Sequence, residues 1–190
     1  MNNKLSFIKG LELNNAYYID VIKPLLDICK LRMAVLWDHI WNKEAFIGRS
    51  IELDDFIGLK LNASRIINYL IKLLFYLEEK YIPYSKWFGY AFKKLKIYNS
   101  INEIITNTLK ENDPKKIEEN LCIIYEIVID EHNKHTNLPP IKNKTRDFFK
   151  RPYKVIFAEN IVEELINSIQ DMDVKNVNLK TYAYDIILDR

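Results

Sequence analysis

Three groups of residues in this sequence could hold or transform a ligand. The first is the run Tyr84-Ser85-Lys86-Trp87-Phe88-Gly89, which begins directly after Pro83. It sets a cation among large aromatic rings on irregular backbone, so Tyr84, Lys86 and Trp87 could stack on a planar group while holding a phosphate or carboxylate. The plain alternative is that Trp87 and Phe88 plug the end of a helix bundle while Lys86 reaches for water. The second group is Glu131, His132, Asn133 and His135. Two histidines three residues apart could face one metal ion, but a catalytic zinc takes a third protein ligand and none is evident, so no metal is expected. Histidines in a last helical turn suit the negative end of the helix dipole and can bond its free carbonyls, and His132 with Asn133 could also offer directional bonds to a ligand. Arg151, ahead of Pro152, adds a further candidate cation. The third group is Arg32 and His39, seven residues apart and so about 20° from eclipsed on an ideal helix. They stand in the middle of an apolar face, where the plain reading pairs Arg32 with a carboxylate such as Asp27 or Asp38 and bonds His39 to backbone.

The elements that position these groups read as helices throughout. Apolar residues recur at three and four positions over long stretches, and strand-like alternation is scarce. A first helix is predicted from about Asn15 to Lys43, kinked or restarted at Pro24. The Asp54-Asp55 cap signal opens a second, whose stripe of Ala63, Ile66, Ile67, Leu70, Leu73, Leu74, Leu77 and Tyr81 runs until Pro83. Arg65 lies beside that stripe as a surface residue. Ser100 with Glu103 forms a capping box before Ile101, Ile104, Ile105 and Leu109. Asp113-Pro114 starts another helix with Ile117, Leu121, Ile124 and Val128 inward. After Pro139-Pro140, a last helix is predicted near Ala158 to Gln170, with an irregular end from Asp171. The sum is an all-α, single-domain bundle of about five to seven helices over residues 1–190, with residues 1–13 and 171–190 as irregular tails and no sheet beyond a short strand pair.

Composition narrows the function classes. The 190 residues, 48% of them hydrophobic, can bury one substantial core. The formal charge of +2 gives no whole-molecule attraction to nucleic acid or to an anionic membrane, so neither is expected as a partner and any anion site must be local. Gly10, Gly48, Gly58 and Gly89 are too far apart for a phosphate-cradling loop. No apolar run approaches a membrane span and no secretion signal is legible, which points to the cytoplasm. Cys29 and Cys122 fall on apolar helical positions and read as reduced core residues.

The segment Tyr81-Ile82-Pro83-Tyr84-Ser85-Lys86-Trp87-Phe88-Gly89-Tyr90-Ala91-Phe92 resembles the Y-x-P-Y-x-K-W-x-G-x-A-F segment of a bacterial and archaeal family, domain of unknown function 4037. Phe46-Ile47-Gly48-Arg49, Glu131-His132-Asn133 and Phe149-Lys150-Arg151-Pro152-Tyr153-Lys154-Val155-Ile156 resemble further segments of that family in the same order. The resemblance implies a helical region that normally follows a nucleotidyltransferase-like domain and binds the acceptor. It also implies a departure, because this sequence has no Gly-Ser or Gly-Gly pair before two carboxylates one residue apart, the metal-holding signature of those transferases. Asp171-Met172-Asp173 has the spacing but reads as a solvated helix end. Three readings stay open: an acceptor-binding half served by a separate nucleotidyltransferase-like chain, a stand-alone protein binding a nucleotide or small anionic metabolite, and a helical ribonuclease. The last rests on Arg32 and His39, whose spacing resembles the Arg-x4–6-His element of nucleotide-binding-associated helical ribonucleases, in which His is the base and Arg holds the phosphate. No cofactor is expected, and neither ligand identity nor oligomeric state is legible. The ligand-binding set drawn from the segments is Tyr84, Lys86, Trp87, His132, Asn133 and Arg151, on one concave face.

Overall fold

A helical hairpin forms the centre of the protein, whose computed structural model describes residues 23–142 and 144–177. Helix α1 spans Lys23–Glu52 and helix α2 spans Phe56–Leu77. A 3-10 turn at Ser85–Trp87 leads into the short α3, Phe88–Phe92, followed by α4, Tyr98–Lys110, and α5, Pro114–His135. Two residues each make β1, Arg146–Asp147, and β2, Lys154–Val155, which pair antiparallel with Arg146 opposite Val155. Helices α6, Glu159–Asn167, and α7, Met172–Lys175, complete the described chain. Helix α1 packs mainly on α2 and α6, α2 also packs on α5, and α4 lies against α5. The all-α bundle read from the periodicity is therefore present, with one minimal strand pair among the described residues.

Helix α2 supplies the spine of the core. Leu59, Ala63, Ile66, Ile67, Leu70, Leu73, Leu74 and Leu77 recur every three or four residues and are all buried, Leu70 at 0% exposure. Its start follows the expected cap, with the Asp55 carboxylate accepting from the Gly58 N–H at 2.8 Å. Asp113 does the same for α5, accepting from Lys115 N–H and Lys116 N–H, with Pro114 at the first helical position.

Several boundaries differ from the sequence reading. Helix α1 continues nine residues past Lys43, because Glu44, Ile47, Gly48 and Ser50 keep turning inward as buried positions. It ends at Asp54, whose φ of 53° is left-handed, with Asp54 N–H donating to Ile51 and Asp55 N–H to Ser50. Helix α2 closes in the same way at Glu79, φ 56°, with Glu79 N–H donating to Tyr76 and Lys80 N–H to Phe75. Tyr81 therefore falls beyond the helix and is exposed rather than part of the buried stripe. No capping box forms at Ser100, because α4 starts earlier, at Tyr98. The Glu78 carboxylate closes that end instead, accepting from Lys96 N–H at 3.0 Å and Ile97 N–H at 3.1 Å. Within α4, Ile101 and Ile105 are buried while Leu109 is exposed and Thr108 takes the inward position. The last long helix is shorter than predicted, and the chain after Asp171 forms α7 rather than starting an irregular end. Cys29 is exposed, not a core residue, and Cys122 is half-buried with burial, first, pushing its thiol up to about 11. The predicted helix residues before Lys23 and both expected tails, apart from residues 171–177, lie outside the described residues.

Candidate functional site

The last turn of α5 turns His132 inward. Its imidazole is 1% exposed, meets Trp37 of α1 edge-on at 5.9 Å, and has no hydrogen-bond partner among the described residues on either ring nitrogen. It does not cap its helix: Thr136 closes that end, its N–H and Oγ1 both bonding the His132 carbonyl. Burial pushes the imidazole down to about 4, so the ring is neutral near pH 7, one nitrogen a donor and the other an acceptor. A buried imidazole with nothing to bond is costly in a folded protein.

His132 lines a cleft of about 230 Å³ together with Pro139, Pro140, Ile141, Arg146, Phe157, Asn160 and Glu164. Asn133 builds one wall. Its amide donates to the Ile141 carbonyl at 3.1 Å and accepts the Ile141 N–H at 2.9 Å, which fixes the Pro139-Pro140 loop across the helix end. Arg146 of β1 forms the mouth, its guanidinium 4.3 Å above the Phe157 ring. Phe157 itself sits at φ 52° between β2 and α6. Asn160 and Glu164 lie on α6 one turn apart and so share the face that borders the cleft.

Glu44 of α1 holds this floor in place. Its carboxylate, buried in the core, accepts from Ile156 N–H at 2.7 Å and Ala158 N–H at 3.2 Å, fixing the chain on both sides of Phe157 and capping α6. Burial pushes the Glu44 carboxyl up to about 7, while those N–H groups and the charge of Arg146 pull the other way. The Tyr125 hydroxyl, near enough to feel the Glu44 charge, is also buried without a partner among the described residues. The arrangement offers one cation, a neutral imidazole, an amide and a carboxylate around a small volume.

The residues drawn from the sequence do not share one concave face. Lys86 and Trp87 are exposed on the 3-10 turn, and the next residue, Phe88, packs on Phe75 near the C-terminal end of α2. Arg151 pairs with Glu52 at 2.9 Å, four residues ahead of the other end of that helix. From Phe56 to Phe75 the helix rises about 29 Å. Lys86 and Trp87 thus lie at one end of α2 and Arg151 at the other, because Arg151 closes the α1–α2 turn as an ion pair. Tyr84 is exposed beside Lys86. Glu131 is taken by Lys134 at 2.6 Å and His135 at 3.4 Å, and no group of three metal-binding side chains occurs among the described residues.

His39 stacks on Tyr69 of α2 at 5.2 Å, and its buried Nε2 has no hydrogen-bond partner among the described residues. Burial, and then the Lys43 charge, lower its pKa. Arg32 is half-buried on the same helix. Asp27 does not wait for Arg32: it bonds Lys30 and the Gln170 and Asp171 N–H groups. Asp38 bonds Asn42. Asp171 caps α7, accepting from Asp173 N–H at 2.9 Å and Val174 N–H at 3.1 Å.

Arg146, Phe157, Asn160 and Glu164 were not singled out from the sequence: Arg146 and Phe157 lie in or beside a two-residue strand pair, and Asn160 and Glu164 fall in the predicted last helix with nothing local to mark them as cleft residues. The resemblance segments do carry packing meaning. A Cβ built on Gly48 would overlap the base of the Tyr153 side chain, so the F-x-G-R and R-P-Y segments meet through a contact that needs glycine.

No curated protein and no solved structure matches the chain. Residues 26–88 match the model of the family described as domain of unknown function (DUF4037), so over about a third of its length the chain is similar to that family; Phe46–Arg49 and Tyr81–Phe88 fall within the match, Glu131–Asn133 and Phe149–Ile156 outside it.

Proposed function

We propose that this protein is a helical binding module that holds a small anionic ligand in the cleft between His132 and Arg146. The observation that carries this reading is the buried imidazole with two unpartnered nitrogens lining a cleft whose mouth bears a guanidinium. A carboxylate or phosphate at Arg146 would take charge-assisted bonds, and a polar edge reaching inward would satisfy His132. At about 230 Å³ the cleft is smaller than those that enclose drug-sized ligands, so it suits a metabolite smaller than a whole nucleotide. The family resemblance supplies the setting: a helical region that seats the acceptor for a nucleotidyltransferase-like domain on a separate chain. Asp171 is used as a helix cap, which supports a binding role for this chain in that setting.

Calorimetric titration with small carboxylates, phosphate esters and nucleotides tests the proposal. Saturable binding of a small anion, weakened about tenfold or more by Arg146→Gln and unchanged by Lys110→Gln, is the expected result. Equal affinities for wild type and Arg146→Gln would refute it. A transferase chain co-purifying with the protein would support the acceptor-side setting.

A further inference from the structure

The segment from Lys80 to Lys96 contains five lysines and no acidic residue; Lys80 pairs at 2.8 Å with Glu78 just ahead of it, which leaves Lys86, Lys93, Lys94 and Lys96 as the cations of the surface. Since the whole chain has a net charge of +2, the remainder of it is net −3, and the positive charge is concentrated in seventeen residues. Within this segment the side chains form a ladder. Lys86 Nζ lies 5.3 Å from the Trp87 ring centre, Trp87 meets Tyr90 at 6.4 Å, and Lys94 Nζ lies 4.5 Å above the Tyr90 ring. The rings are open to solvent: Trp87 is 55% exposed, Tyr90 60% and Tyr84 62%. The backbone between them is equally open, because a Cβ built on Gly89 would meet nothing within 4 Å.

We infer that the Lys86–Trp87–Tyr90–Lys94 ladder is a docking surface for single-stranded nucleic acid. Lysines that track phosphates beside aromatic rings that stack on bases are the two components of sequence-tolerant single-strand binding. The Trp87 and Tyr90 planes stand at 68°, so bases resting on both cannot stay stacked on each other. That geometry fits an unstacked single strand and not a duplex, whose base faces are internal. An anionic membrane would also attract lysines, tryptophan and tyrosine. It would gain most from aliphatic side chains inserted beside them, but the exposed Leu53, Ile57 and Leu61 lie around the α1–α2 turn, at the opposite end of α2 from Phe88. None of these four residues lines the His132 cleft, and neither proposal depends on the other.

Fluorescence anisotropy of labelled oligonucleotides with the full chain is the test, with vesicles of anionic phospholipid as a parallel arm. Single-stranded oligonucleotides should bind at low salt more tightly than duplexes of the same length. Trp87→Ala and Tyr90→Ala should each weaken binding about fivefold or more. Lys86→Gln with Lys94→Gln should flatten the dependence of affinity on salt. Because the altered side chains are exposed, thermal melting should stay close to wild type. No oligonucleotide binding, binding that ignores Trp87 and Tyr90, a preference for duplex, or binding to vesicles alone would each overturn the inference.

Discussion

At the scale of single residues, Glu44 and His132 titrate abnormally in opposite directions, and both movements come from burial. Glu44 is raised from 4.5 to about 7, so between those values the folded state holds a proton that the unfolded chain has lost, and stability falls as pH rises. His132 is lowered from 6.5 to about 4, so there the unfolded chain holds the extra proton and stability rises with pH. Each effect is on the order of 3 kcal/mol, and the windows overlap between pH 4.5 and 6.5. Urea unfolding of wild type should therefore show little net slope from these two groups in that range. Glu44→Gln should uncover a loss of stability as pH falls from 6.5, and His132→Leu should uncover a gain as pH falls from 7. Unfolding curves for His132→Leu with the same pH slope as wild type would show that the ring is not buried neutral. The imidazole was visible in the sequence as a candidate, but its role was not, because only the fold shows the ring buried against Trp37 beside a cleft instead of bonded to the helix carbonyls.

At the scale of elements, termination was the least legible feature. Helices α1 and α2 end on left-handed residues that are not glycine, Asp54 and Glu79, so the usual glycine marker was absent. Exchanging Glu79 for Gly should remove that strain and raise the unfolding free energy by up to about 1 kcal/mol, after the entropy cost of glycine. Starts were legible at Asp55 and Asp113, where a short acidic side chain bonds its own helix. They were not at α4, whose cap comes from Glu78, eighteen residues before Lys96. Gly48→Ala should have the opposite effect to a usual helix glycine replacement. Alanine favours the helix by about 1 kcal/mol, but the overlap with Tyr153 must move β2 off α1, so a net loss of roughly 1–2 kcal/mol is expected in the melting curve.

At the scale of the whole molecule, the bundle was legible because its core follows the helical period over long stretches of α2 and α5. Leu70→Ala should cost about 2–5 kcal/mol, since the side chain is fully enclosed. The candidate cleft was not legible, because it is assembled from α5, the loop at Pro139-Pro140, a two-residue strand and the start of α6, none of which shares a local pattern. Only His132 was a candidate within the cleft lining, with Asn133 supporting its wall. The central claim, that this cleft seats a small anion, is tested most directly by proton NMR of the histidine rings. The chain has three histidines, so loss of one set of signals in His132→Gln assigns that ring. Titrating wild type with small carboxylates and phosphate esters should shift the His132 ring signals saturably for at least one ligand, and Arg146→Gln should remove the shift. His132 signals that stay fixed throughout, while only exposed His135 responds, would contradict the account.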